Sequence, residues 1–109
     1  MIGFNDYQAA TDRTAKYPQD EALNYLTLGL ASEAGEVAGR VKKVIRDKNS
    51  IVDDVEAKEI GKELGDVLWY VAQLALCLNI TLESIAVDNL AKLSDRAERG
   101  VIGGDGDNR

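Results

Sequence analysis

Two long segments of this chain carry apolar residues at every third or fourth position, which is the spacing of one face of an α-helix. The first predicted helix covers residues 21–46 and the second covers residues 54–79. The single proline, Pro18, precedes both segments and therefore interrupts neither helix. Together with the scarcity of Phe and Thr, this pattern predicts an all-α protein.

Two shorter helices complete a predicted four-helix, bundle-like domain over residues 1–100. They cover residues 4–16, which end before the proline, and residues 82–99, which end at Gly100. The expected N-cap residues are polar and lie near the start of each helix: Asn5, Asp20, Asp53 and Thr81. Residues 101–109 form a Gly-rich C-terminal tail without periodicity, which is either flexible or ordered by a partner.

A short acidic motif appears in each long helix, as Glu33-Ala34-Gly35-Glu36-Val37 and as Glu63-Leu64-Gly65-Asp66-Val67. Acids three positions apart lie on one helix face, about 60° apart around the axis. A glycine inside a helix costs up to ~1 kcal/mol relative to alanine, so we expect Gly35 and Gly65 to allow a close approach by a backbone or a ligand. If the two helices face each other, four carboxylates converge and need protons or cations to neutralise them.

A solvated acidic surface is the alternative explanation of these motifs. Glu36 with Arg40, and Lys62 with Asp66, have the i,i+4 spacing of surface ion pairs. Against this stands the near-identity of the two motifs, each of which lies beside the apolar stripe of its helix. The pattern alone leaves a metal site and a solvated surface both open.

Charge and composition narrow the classes of function. A net charge of −6 argues against nucleic acid and against a membrane surface as partners. The chain has no histidine, which excludes Glu-x-x-His di-iron bundles, histidine triads and most zinc sites. Any metal would be bound by oxygen, which favours Mg²⁺ or Mn²⁺. The single cysteine, Cys77, is expected in the core and suits a reducing, cytoplasmic location.

The motifs taken together resemble the MazG-like family of all-α nucleoside triphosphate pyrophosphohydrolases. The main shared feature is Glu33-x-x-Glu36 followed by Glu63-x-x-Asp66. Further similarity lies near the start, in Asp6-Tyr7-Gln8, Thr14 and Tyr17-Pro18, and at the end, in residues 99–104 and 106–109. One departure is Ser32, since many members carry a further Glu just before the first acid.

The resemblance implies a metal-dependent hydrolase. The residues expected to be both catalytic and metal-binding are Glu33, Glu36, Glu63 and Asp66. They would bind Mg²⁺, or Mn²⁺, that holds the triphosphate while water attacks the α-phosphorus, so that NTP or dNTP gives the monophosphate and pyrophosphate. Family members are homo-oligomers, so a tetramer or a dimer is expected.

The resemblance also suggests residues that contact the substrate. Tyr70 and Asn89 match positions that touch the nucleotide, and Gln8, with Tyr7 and Tyr25, is a weaker base contact. The residues suggested for the β- and γ-phosphates are Lys43, Lys92 and Arg96. A core tyrosine, a buried asparagine and ordinary surface cations are the alternative explanations of these side chains.

Two other functions are compatible with the sequence. A phosphoribosyl-ATP pyrophosphohydrolase belongs to the same superfamily and has similar motifs. A non-catalytic helical interaction module would explain the acids as solubilising and the glycines as tight helix contacts. Stabilisation by Mg²⁺ would separate a metal site from solvated acids. The sequence does not name the preferred base or sugar.

Overall fold

The computed structural model describes all 109 residues and contains four α-helices and no strand. The helices are α1 (Phe4–Thr11), α2 (Ala22–Asp47), α3 (Asp54–Cys77) and α4 (Leu82–Arg99), and two single 3₁₀ turns, Asp12–Thr14 and Gln19–Glu21, precede α2. The predicted all-α class is confirmed. The bounds of α2, α3 and α4 agree with the sequence prediction to within two residues.

The main packing unit is the pair of long helices α2 and α3, which run antiparallel. Their register follows from two contacts, because Gly29 lies against Tyr70 and Arg40 pairs with Glu59. This register places residue 33 of α2 opposite residue 66 of α3. The fully buried apolar side chains are small in number and come mainly from this unit: Leu26, Val44, Ala72, Ala75 and Leu82.

Helix caps mark the start of α3 and both ends of α4. The Asp53 carboxylate accepts a hydrogen bond of 2.8 Å from the backbone N–H of Glu56, and Thr81 Oγ1 accepts one of 3.2 Å from Ser84. Gly100 ends α4 with a φ of 72°, which is the left-handed conformation expected at this position. These three predictions are confirmed.

The predictions for the start of the chain are partly wrong. The N-cap of α1 is Gly3, while Asn5 Oδ1 accepts a hydrogen bond from the backbone N–H of Glu83 and ties α1 to α4. Asp20 lies inside a 3₁₀ turn and caps nothing. The first helix ends at Thr11 rather than Lys16, because the backbone tightens into a 3₁₀ turn.

One chain leaves much apolar surface uncovered. Only 10 of 109 residues are buried, and the exposed surface is 7,810 Å². A folded monomer of 11.8 kDa is expected to expose about 5,900 Å². Large apolar side chains such as Leu28 (71% exposed) and Leu90 (67%) contribute to the excess. Cys77, which was expected in the core, is also exposed.

The fourth helix leaves the α2–α3 pair at a sharp corner. The axes of α3 and α4 differ by 103° across the short turn between Cys77 and Leu82. As a result α4 packs on α1 and on the end of α3, and much of its length extends away from the pair. No helix by itself has both the length and the apolar character to cross a membrane, and only the bent α3–α4 pair passes that test when taken together.

Candidate metal centre

Three of the four predicted acids converge where α2 and α3 face each other. Carboxylate oxygens of Glu33, Glu63 and Asp66 lie within 4.8 Å of one another, and these residues are called the acid group below. Glu33 and Glu63 are half-buried, whereas Asp66 is exposed. The fourth predicted acid, Glu36, is exposed and lies outside the group.

The acid group has almost no compensating positive charge. Its nearest cation is Arg40, whose Nε lies 4.0 Å from Glu63 Oε1, at the limit of an ion pair. Arg40 is closer to Glu59, at 3.3 Å. Burial raises the pKa of Glu33 above its ordinary value, and the charges of Asp66, Glu63 and Glu36 raise it further. Glu36 is therefore near enough to act on Glu33 electrostatically.

The ion pairs that a solvated surface would provide do not form. Arg40 contacts Glu59 and Glu63 rather than Glu36, and Lys62 pairs with Glu59 at 3.0 Å rather than with Asp66. Other acids of the chain do find partners, as Glu56 does with Lys48 at 2.5 Å. Glu33, Glu36 and Asp66 form no ion pair, and Glu63 has only the 4.0 Å contact with Arg40.

The acid group fits a small divalent cation. Mg²⁺ binds oxygen ligands at about 2.0–2.1 Å, so two ligands on opposite sides of the ion lie about 4 Å apart. Three oxygens spread over 4.8 Å reach such positions with small side-chain movements. All the donors are carboxylates, and this donor set suits Mg²⁺ or Mn²⁺ better than a softer metal.

Tyr70 lies beside the acid group, one helical turn after Asp66. Burial raises the pKa of the Tyr70 phenol, and the neighbouring Tyr25 and the charges of Glu33 and Asp66 add to the shift. Its ring is tilted against that of Tyr25, with centroids 6.5 Å apart, and meets the Trp69 ring edge-on at 5.0 Å. The predicted nucleotide contact is therefore placed at the edge of the acid group.

An apolar cavity of about 390 Å³ lies near the acid group. It is lined by residues from the start of the chain and from α3: Ile2, Gly3, Phe4, Tyr7 and Leu68. Burial and the charge of Asp66 raise the pKa of the Tyr7 phenol, so this cavity-lining residue is near enough to the acid group to be affected by its charge.

Gln8 does not lie among the acids but holds three elements together. Its Nε2 donates to the carbonyls of Ala72 (3.3 Å) and Ile80 (2.9 Å), and its Oε1 accepts from the backbone N–H of Leu82 at 2.9 Å. The side chain is 3% exposed. Both ends of its amide are therefore bound to the backbone, which leaves a base contact by Gln8 an untested prediction with little geometric support.

The predicted phosphate-binding residues of α4 are distant from the acid group within one chain. Asn89 and Lys92 line a separate cavity of about 420 Å³. Asp66 lies 11 residues before the end of α3, and Lys92 lies 10 residues into α4. At 1.5 Å per residue and the observed 103° between the helices, the two residues are roughly 20 Å apart.

The cations of α4 are already paired with the C-terminal tail. Asp107 Oδ1 accepts from Lys92 Nζ at 2.7 Å and from Arg96 at 2.9 Å, and the Asp107 carbonyl accepts a further bond from Arg96. Lys92 and Arg96 hold the pKa of the Asp107 carboxyl below its usual range. Arg96 is only 5% exposed. The tail is thus folded onto α4.

Arg109 closes the tail on itself. Its guanidinium donates to three backbone carbonyls, those of Val101 (3.1 Å), Ile102 (2.9 Å) and Gly106 (2.5 Å). The sequence offered a flexible end or an end ordered by a partner, and the structure orders the tail within the chain.

Lys43 lies on α2 about two turns after Glu36, away from the acid group. It is exposed, makes no ion pair, and lines a small cavity of about 190 Å³ with Arg40, Asp47, Lys48 and Glu56 among its neighbours. Like the cations of α4, it is not brought to the acids by the fold of one chain.

The comparisons with known proteins agree with this helical fold and its acid group. Residues 21–101 match the model of the MazG nucleotide pyrophosphohydrolase domain. The chain is also similar to the Gene 37 protein of Mycobacterium phage L5, at 48% identity in an alignment that covers 94% of this chain and 96% of that protein. No solved structure matches it significantly. The chain belongs to the MazG nucleotide pyrophosphohydrolase family, as the motifs indicated.

Proposed function

We propose that this chain hydrolyses nucleoside or deoxynucleoside triphosphates to the monophosphate and pyrophosphate, with Mg²⁺ or Mn²⁺ bound at the acid group. The observation that carries the proposal is the convergence of three carboxylates from two helices within 4.8 Å, with a single cation at the 4.0 Å limit of an ion pair. Membership of the MazG family gives the class of reaction. Charges so arranged are stable at neutral pH when a cation neutralises them.

Each acid has a defined part in this proposal. Glu33, Glu63 and Asp66 hold the cation, and Glu36 joins them because its charge already reaches Glu33. Bound Mg²⁺ or Mn²⁺ would supply neutralisation of phosphate charge and would increase the acidity of a water molecule. The protein holds the triphosphate in line for attack, and in phosphoryl transfer most catalysis comes from such positioning and charge compensation.

Water is the proposed nucleophile. The chain has no histidine, and its single cysteine lies at the end of α3, far from the acid group. The water oxygen forms a bond to the α-phosphorus while the bond from that phosphorus to the α,β-bridging oxygen breaks. Pyrophosphate leaves with the bridging oxygen, and the protons of the water pass to carboxylate or solvent.

Substrate contacts are proposed for the side chains that the sequence singled out. Tyr70 is the best placed of them, because it lies at the edge of the acid group. Asn89 and Lys43 would have to come from another copy of the chain, and Lys92 and Arg96 of such a copy would also have to leave their contacts with Asp107. The surface of one chain exceeds that of a typical monomer by about 1,900 Å², which supports a homo-oligomer.

Assembly is tested by light scattering at micromolar concentration. We expect a tetramer, or failing that a dimer. A monomer under conditions where the protein turns over substrate would contradict the proposed contribution of a second copy.

The reaction is tested by a pyrophosphate-release assay over the common NTPs and dNTPs, with phosphoribosyl-ATP included, in Mg²⁺ and in Mn²⁺. We expect release from triphosphates. Activity confined to phosphoribosyl-ATP would replace the proposed substrate class by the alternative one. In ¹⁸O-water the label should enter the monophosphate only. Label in pyrophosphate, or stepwise release of orthophosphate, would contradict attack at the α-phosphorus.

A further inference from the structure

We propose that Gly29 is a positioning residue for the site, because its missing side chain makes room for the ring of Tyr70 and so sets where the Tyr70 phenol lies. The effect on turnover rests on the proposed function. The placement of the ring does not, and it is measured separately below.

The room at Gly29 is fully used by one ring. A Cβ added at Gly29 would lie 2.1 Å from Tyr70 Cε1, 2.5 Å from Cζ and 2.7 Å from Cδ1. All three atoms belong to a rigid aromatic ring, so no flexible end can turn aside and the whole ring must move. Because α2 and α3 are long helices packed on each other, moving their backbones apart would disturb many contacts at once.

The other glycines inside α2 and α3 behave differently. A Cβ added at Gly35, Gly39, Gly61 or Gly65 would meet nothing within 4 Å. Within one chain, therefore, none of these four is required by packing. Gly29 alone among the helix-interior glycines has a side chain of the facing helix in the space where its own would be.

The Tyr70 ring also contacts two aromatic neighbours. Trp69 meets it edge-on at 5.0 Å, and Tyr25 lies 6.5 Å away. Tyr25 is itself stacked on Tyr17, with centroids 5.2 Å apart and planes 18° apart. Tyr17 donates a hydrogen bond of 2.6 Å to Gln73, which is 1% exposed. A ring displaced from α2 therefore has little freedom within the aromatic cluster.

Gly29 and Tyr70 both lie close to the acid group along their helices. Gly29 lies one turn before Glu33 on α2, and Tyr70 lies one turn after Asp66 on α3. A change at residue 29 thus moves the phenol relative to two of the three acids. Since the phenol is the best-placed substrate contact, its displacement should weaken ligand binding at a site whose carboxylates are all still present.

The test is a double-mutant cycle of Gly29→Ala and Tyr70→Ala, with Gly39→Ala as the matched control on the same helix. We expect Gly29→Ala to lower kcat/KM about tenfold or more, mainly through KM, while Gly39→Ala stays within about twofold of the wild type. In the Tyr70→Ala background, where the ring is gone, Gly29→Ala should change kcat/KM by less than about twofold.

The position of the ring is also measured without substrate. Trp69 is the single tryptophan of the chain and contacts Tyr70, so its fluorescence reports ring displacement. Gly29→Ala should change the Trp69 emission and lower Tm when Tyr70 is present, and should do neither in the Tyr70→Ala background. If the wild type released no pyrophosphate, the proposed function would fail while this cycle still decided the positioning claim.

Two results would overturn the proposal. One is equal loss of Tm or kcat/KM from Gly29→Ala with and without Tyr70, because Gly29 would then act through another contact. The other is an unchanged Trp69 emission and Tm in Gly29→Ala. If Gly29→Ala alone fails to fold, folding of the double variant would support the claim, and failure of both would contradict it.

Discussion

The acid group and the α4–tail region differ in whether their charged side chains have partners of opposite charge. In the α4–tail region, Lys92 and Arg96 are both paired with Asp107, so a nearly buried guanidinium has its partner within the chain. In the acid group, Glu33, Glu63 and Asp66 lie together and have one cation between them at the 4.0 Å limit. The cations of the α4–tail region are therefore neutralised within the chain, whereas the acid group requires a cation from solution.

In a small acidic protein, a cluster of carboxylates without paired cations is a better candidate for a functional site than acids that form ion pairs. On a solvated acidic surface we expect exposed pairs such as Asp95 with Arg99, and several acids of the chain form them. Repulsion among half-buried carboxylates instead lowers the stability of the free protein. Such an arrangement makes physical sense when a bound cation offsets the repulsion.

The largest expected effect comes from removing a member of the acid group. Asp66→Ala should lower kcat on the order of 100-fold or more, because it removes a charge that no other side chain replaces. Glu98→Gln, at an exposed acid of α4 without an ion pair, is the matched control and should keep full activity. Steady-state pyrophosphate release measures both. Near-normal turnover in Asp66→Ala would contradict a catalytic role for the acid group.

A smaller loss is expected from Glu36→Ala. Glu36 lies outside the 4.8 Å group and acts on Glu33 through its charge. Turnover should therefore fall less than in Asp66→Ala, with circular dichroism unchanged in both variants. A loss equal to that of Asp66→Ala would show that Glu36 enters the group when the cation binds.

Removing Arg40 should increase the affinity of the acid group for a divalent cation. Arg40→Gln takes away the single cation near Glu63, so Mg²⁺ should bind a few-fold more tightly. The Mg²⁺ concentration at half-maximal activity measures this, with Lys62→Gln as a control that keeps Arg40. Weaker binding in Arg40→Gln would mean that Arg40 orients a ligand rather than competing with the cation.

The smallest effect is expected in the tail. Asp107→Asn weakens the contacts with Lys92 and Arg96, so amide exchange in residues 101–109 should rise while α2 and α3 stay protected. The lowered pKa of Asp107 predicts the same release by acid. The contact is present above the ordinary pKa and is lost as pH falls through the folded-state pKa. Unchanged exchange in Asp107→Asn would show that the Asp107 carboxylate is not needed to hold the tail, which the Arg96 contact with the Asp107 carbonyl and the Arg109 contacts would then hold.

Local pattern predicted the four helices and, if α2 and α3 face each other, the convergence of four acids, of which the structure brings three together. The apolar spacing located α2 and α3, and their short connection makes them antiparallel, so that motifs at similar distances from it lie near each other. Asp53, Thr81 and Gly100 were predictable because a cap depends on its immediate neighbours. Asn5 was misassigned because its partner, Glu83, lies far along the chain.

The details that depend on register between elements were not predictable from one sequence. The contact of Gly29 with Tyr70 requires knowing which turn of α2 meets which turn of α3. The pairing of Asp107 with Arg96 requires the chain to reverse after Gly100. Gly35 and Gly65 were expected to allow close approach by a backbone or a ligand; within one chain no backbone approaches them, and the close approach occurs at Gly29, one turn before Glu33.

The central claim is that the acid group binds a divalent cation, and thermal unfolding of chelator-treated protein against increasing Mn²⁺ tests it most directly. A cation that binds only the folded state stabilises it by about 2.7 kcal/mol at 100 times its Kd. We expect Tm to rise with Mn²⁺ in the wild type and in the Glu98→Gln variant. It should stay constant in the double variant that combines Glu63→Gln and Asp66→Asn. An equal rise in all three proteins, or a constant Tm in the wild type, would contradict it.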